Sequence, residues 1–134
     1  MRQVTVADAA DIVGVHHRVF RSWIERAPEI EIGNKPAGRI YFCLREVVAM
    51  AIARELISAG YLPHEAIRFG LITVESYSDP PEFNDRAAFP LPGAVGAMRT
   101  GSDVLCGQIG SKIVLDLASI WAGVAKKFAG YAGR

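Results

Sequence analysis

VTVADAADIVGVHHRVFRSWIER, residues 4 to 26, decides how the rest of the chain is read. Val6, Ala9, Ala10 and Val13 recur at helical spacing, which predicts a short helix with one face to bury. Thr5, with Asp8 three residues on, is a variant of the capping box that opens such a helix. Gly14 breaks it, and Val15 is placed to pack beneath the turn. A second helix follows at once over HHRVFRSWIER. Val19, Phe20, Trp23 and Ile24 form its apolar stripe, while Arg18, Arg21, Ser22 and Glu25 occupy the other faces. Pro28 stops it, because the residue before a proline disfavours helical backbone.

The adjacent histidines His16 and His17 raise a metal or catalytic reading. Successive helical residues point about 100° apart, so the two are not expected to face one way. The nearest further histidine is the distant His64. A paired metal site is not expected, and neither a metal nor a cofactor is called for. Phe20 and Trp23 are read as core rather than as base-stacking platforms.

Outward from this stretch, EIEIGNKPAGRIYF reads as a β-hairpin. Glu-Ile-Glu-Ile alternates, Gly33 to Gly38 supply turn residues, and Arg-Ile-Tyr-Phe is rich in strand formers. Lys35 lies in the loop and Arg39 just past it. LREVVAMAIARELISAG then places Leu44, Val47, Val48, Ala51, Ile52 and Leu56 on one helical face, with Gly60 as its stop. Pro63 opens a short helix, PHEAIRFGL. Beyond residue 71 the character changes. ITVESY reads as strand and SDPPEFNDRAAFPLPG as loop, while DVLCGQI and SKIVLDL read as two strands joined at Gly110-Ser111. A final amphipathic helix carries Leu117, Ile120, Trp121, Val124 and Phe128, a stripe that must be buried against either its own domain or a second subunit.

Composition bounds the function classes. Hydrophobic residues make up 51% and charged residues 22% of 134 residues, enough to bury a core. No apolar run reaches the roughly 20 residues a membrane span needs. The N-terminus lacks a basic-then-apolar secretory pattern, since Asp8 and Asp11 interrupt it, so a cytoplasmic protein is expected. Cys43 and Cys106 are far apart and fit no metal or disulfide spacing, so both are read as buried apolar residues. Net charge is only +1, but His16 to Arg45 carries an excess of three positive charges and Thr73 to Asp103 an excess of three negative ones. Such a split suggests separate jobs for the two parts. No nucleophile elbow, phosphate loop or Cys/His pairing supports an enzyme.

Helix, tight turn, helix, hairpin, helix is the layout of a winged-helix DNA reader, whose second helix enters the major groove. Three pieces in order resemble the DNA-binding domain of MerR-type transcriptional regulators, over about residues 3 to 71. Gly14-Val15 and the following helix with Arg21 and Trp23 resemble the family's "GV…LRYY". Arg39 and Tyr41 match its Arg-x-Tyr at the end of the wing, and AGYLPHEAI matches its "lGfsleeI" turn into a fourth helix. The chain departs from the pattern at Ser22, where an aromatic is common, at Ile24, where an acid is common, and at Ala37-Gly38-Arg39 in place of Gly-Tyr-Arg. No long dimerisation helix is expected over residues 72 to 110.

The resemblance implies that Arg21 and Arg39 hold phosphates, with Tyr41 adding a hydroxyl bond and Lys35 a further contact. Arg18 would be the leading base reader, since arginine bonds guanine bidentately. His16 and His17 would stand at the helix N-terminus facing phosphate or base edges, with Ser22 on the same DNA-facing helix. The expected fold is mostly α with small β: a winged helix-turn-helix over 1–71, then a β-containing extension and a C-terminal amphipathic helix over 72–134. That last helix is expected to serve dimerisation or partner binding. The expected function is sequence-specific binding of double-stranded DNA by a bacterial or phage transcriptional regulator, as a homodimer. A phage DNA-packaging or recombination-directionality protein and an antitoxin-like interaction module stay open beside it.

Overall fold

The computed structural model describes residues 2–33, 35, 39–77, 85–92 and 112–132. Their order is β1 (Val4–Thr5), α1 (Val6–Val13), α2 (His17–Glu25), β2 (Tyr41–Phe42), α3 (Leu44–Ser58), α4 (Pro63–Ser76), β3 (Arg86–Pro90), β4 (Lys112–Asp116) and α5 (Leu117–Ala132). The described chain is mostly helical, with two separate two-stranded antiparallel sheets.

The opening stretch folds by its local signals. The Thr5 hydroxyl accepts from the Asp8 amide at 3.2 Å and caps α1. Gly14 ends α1 in the left-handed region at φ 91°, where a side chain would be strained. Its amide and that of Val15 both donate to the Ala10 carbonyl. Phe20 and Trp23 of α2 are buried and Ile24 is half-buried, but Val19 is 44% exposed. The expected four-residue stripe is therefore narrower, and Val19 lies on its solvent-facing flank.

The expected hairpin takes a different form. Residues 29–32 are not a strand, and β2 pairs instead with β1, Val4 opposite Phe42 and Thr5 opposite Tyr41. The Glu-Ile alternation still sorts side chains: Ile32 is buried and Ile30 half-buried, while Glu29 and Glu31 are exposed. Buried Val4 and Phe42 share one face of the β1–β2 pair, as strand alternation requires. Phe42 meets Phe20 edge-to-face at 5.5 Å, which seats α2 on this small sheet.

Helix α3 is buried on more than the one face expected. Besides Val47, Val48, Ile52 and Leu56, it buries Ala49, Met50 and Ala53. A helix apolar nearly all round belongs in the middle of a domain, and α3 packs against α1, α4 and α5. Its end is a Schellman motif: Gly60, at φ 110°, donates to Ile57 and Tyr61 donates to Leu56. Helix α4 approaches it at Gly70, where a Cβ would collide with the carbonyl oxygen of Ala49.

Past residue 71 two expectations are corrected. ITVESY is not a strand, because α4 runs on to Ser76. Packing on α3 outweighs the β-preference of Ile72, Thr73 and Val74, and the Thr73 and Ser76 hydroxyls donate to the carbonyls four residues back. RAAFP, read as loop, is β3, and its partner is β4, from Arg86 opposite Asp116 to Pro90 opposite Lys112. The strand expected over DVLCGQI lies outside the described residues. Edge-to-face contacts link Tyr61 to Phe69 and Phe69 to Phe89, and the Tyr61 and Tyr77 hydroxyls donate to the Pro90 and Arg86 carbonyls. Burial first, then Glu65 and Asp85 respectively, pushes both phenols above their ordinary range.

Asp116 caps the start of helix α5: its carboxylate accepts from the Ser119 amide at 3.1 Å and the Ser119 hydroxyl at 2.9 Å. Those bonds, more than the Arg86 guanidinium at 3.1 Å, hold its carboxyl below the usual carboxylate range. The stripe Leu117, Trp121, Val124 and Phe128 is buried within the chain, and α5 packs on α1, α3, β1 and β3. The premise for α5 as a dimerisation or partner-binding helix was an uncovered stripe, and that stripe is covered. One hydrophobic core takes in residues on both sides of position 71. Among the described residues no helix is long and apolar enough to cross a membrane.

Candidate nucleic-acid interface

With Phe20 and Trp23 turned inward, helical geometry sends Arg18, Ser22 and Glu25 outward along one line and Arg21 to its flank. Arg18 and Arg21 are exposed and Ser22 is half-buried. Lys35 and Arg39, in the segment between α2 and β2, are also exposed. None of these four cations pairs with an acid among the described residues, where Arg54–Glu55, Arg68–Glu29 and Arg86–Asp116 do pair. Tyr41 is half-buried in β2 opposite Thr5. The loop residues 34 and 36–38 lie outside the described residues, so the wing expected there is seen only at its two bases.

The histidines are placed differently from the expectation. His16 is not in the helix but caps it: its Nδ1 accepts from the Arg18 amide at 3.1 Å. His17 is the first helical residue, and the two rings stack at 4.5 Å between centroids. The 100° separation fails because it presumes two helical residues, and His16 has extended backbone at ψ 140°. Because Nδ1 accepts the cap bond, His16 keeps only Nε2 for any outside partner. The pair is thus first a helix start. Among the described residues no three His, Cys, Asp or Glu side chains are grouped to hold a metal ion.

One residue behind this surface was not expected. Glu46, in the first turn of α3, accepts from the Cys43 amide at 3.0 Å and, through its other oxygen, from the Gly33 amide. Gly33 has φ 83° and packs so closely on Ile40 and Phe42 that a side chain there would not fit. Glu46 thereby ties the start of the Lys35 segment to the helix that follows its end. The signal was legible as Cys43-Leu44-Arg45-Glu46, a capping box with cysteine in the serine place. Cys43 itself is half-buried, and burial pushes its thiol up; Cys106 lies outside the described residues. Chemically, the surface offers guanidinium and ammonium groups with no acidic partner among the described residues, on the seated helix α2 and at Lys35 and Arg39, which suits a polyanion.

No known protein family matches the chain, and no curated protein matches it.

Proposed function

We propose that the protein binds double-stranded DNA in a sequence-specific way, as a transcriptional regulator of MerR-like type. The observation that carries this reading is the outward row of α2: Arg18 and Arg21 exposed and, among the described residues, unpaired, on a helix held from behind by Phe20 and Trp23. In this reading α2 enters the major groove after the Gly14 turn, and Arg18 reads a guanine edge. Arg21, Lys35, Arg39 and Tyr41 contact phosphates, with His17 and Ser22 bordering them. Glu46 touches no DNA and holds the Gly33 and Cys43 amides, on either side of Lys35 and Arg39 in the chain. A homodimer of this chain would have to use a surface other than the buried stripe of α5.

The test is selection of bound sequences from a random duplex pool at two salt concentrations, with wild type and Arg18→Ala. The reading expects one motif at both salts, and a preference that Arg18→Ala relaxes at one position by about 1–3 kcal/mol. Failure to retain any duplex at low salt would contradict it.

A further inference from the structure

Val19 is the large apolar side chain that α2 leaves in solvent, 44% exposed. Among the described residues Leu62, Leu91 and Val114 are similarly exposed, but none of them is on α2. At about 100° per residue, Val19 stands between the buried Trp23, four positions on, and the outward row of Arg18 and Ser22. Its methyl groups therefore border the same surface as the Arg18 guanidinium. The fold gains little from them there, because much of the residue stays in water and valine is a poorer helix former than alanine, leucine or lysine. Valine also keeps mostly one χ1 rotamer in a helix, so its methyl groups are fixed before any partner arrives.

We propose that Val19 reads the 5-methyl group of a thymine in the base pair next to the guanine that Arg18 bonds. This inference rests on the DNA-binding reading of α2 and adds a base that its polar side chains do not choose. The N-terminal residues of a recognition helix are those that reach base edges, and Val19 is the third residue of α2. Successive helical residues stand about 1.5 Å apart along the axis, less than the roughly 3.4 Å step between base pairs, so Val19 stays beside the pair that Arg18 reads. In the major groove thymine is the ordinary base that presents a methyl group. A branched apolar side chain favours it by taking that methyl out of water. Against cytosine the same side chain would cover an amino donor and offer it no acceptor.

The experiment is selection by the full chain from two random duplex pools at low salt, one polymerised with thymidine and one with deoxyuridine, which lacks the 5-methyl group. Beside the guanine position that Arg18→Ala relaxes, the wild-type chain should select thymine over cytosine by about fourfold, the scale of burying one methyl group. With the deoxyuridine pool that preference should vanish while the guanine is still selected. Val19→Ala should lose the same preference in the thymidine pool and lose nothing more with deoxyuridine, because both changes remove one contact. Far-UV circular dichroism checks that the variant is folded, and the comparison of pools by the wild-type chain needs no variant. Absence of a thymine preference beside the guanine, or a preference as strong for uracil, would overturn the proposal and leave the DNA-binding reading standing. So would a thymine preference that survives in folded Val19→Ala. Retention of no duplex from either pool would overturn both.

Discussion

Helices α2 and α5 both carry an aromatic stripe backed by cations, yet the chain uses them differently. In α2 the stripe shrinks to Phe20 and Trp23, and the arginines beyond it face solvent with no acidic partner among the described residues. In α5 the stripe runs from Leu117 to Phe128 and is consumed by the molecule's own core, while the outer face holds small residues and Lys126 and Lys127. An apolar stripe shows that a helix is seated, without showing on what. The polar side of the helix carries the functional information.

The largest effects should come from the seats. Phe20→Ala and Trp121→Ala should each destabilise the fold by about 3–5 kcal/mol in urea unfolding, since each empties a buried aromatic site. If α5 were an arm awaiting a partner, Trp121→Ala would leave the unfolding midpoint in place and the comparison would collapse. Gly70→Ala, at the α3–α4 contact, should cost about 1–3 kcal/mol, because the added methyl meets the Ala49 backbone, which cannot move aside freely. Glu46→Ala should cost about 1–2 kcal/mol of stability by releasing the Cys43 and Gly33 amides. It should also weaken DNA binding, although Glu46 is itself an anion whose removal would otherwise favour DNA.

The smallest effect is a pH dependence at the start of α5. Asp116 has a lowered folded pKa, so its contribution is complete above the ordinary value of about 3.8 and is lost as pH falls through the folded value. The stability difference between wild type and Asp116→Asn should therefore be constant near neutrality and vanish in acid. A difference that grew on acidification would contradict the assigned cap.

Much of the N-terminal half was legible because its signals are local. The Thr5 cap, the Gly14 and Gly60 stops and the Pro63 start each act within a few residues, and all four stand where the pattern puts them. What was hidden depended on distant partners. That β2 pairs with β1 rather than with residues 29–32 is settled by Val4 and Phe42 sharing the core. The strand-like letters of ITVESY become helix because α4 packs on α3 and buries Thr73 and Val74. RAAFP looks like loop until Tyr61, Tyr77 and β4 supply its partners. At the candidate site, the exposed arginines followed from helical spacing. The His16 cap did not, because histidine is an uncommon N-cap, and the Gly33–Glu46 tie spans 13 residues.

The most direct measurement is a two-dimensional NMR titration of the isotope-labelled chain with short duplex DNA. The account predicts amide shifts concentrated at His17 to Ser22, Lys35 and Arg39, with α5 unmoved, and their loss as salt is raised. Shifts centred on α5, or none on α2 at low salt, would contradict it.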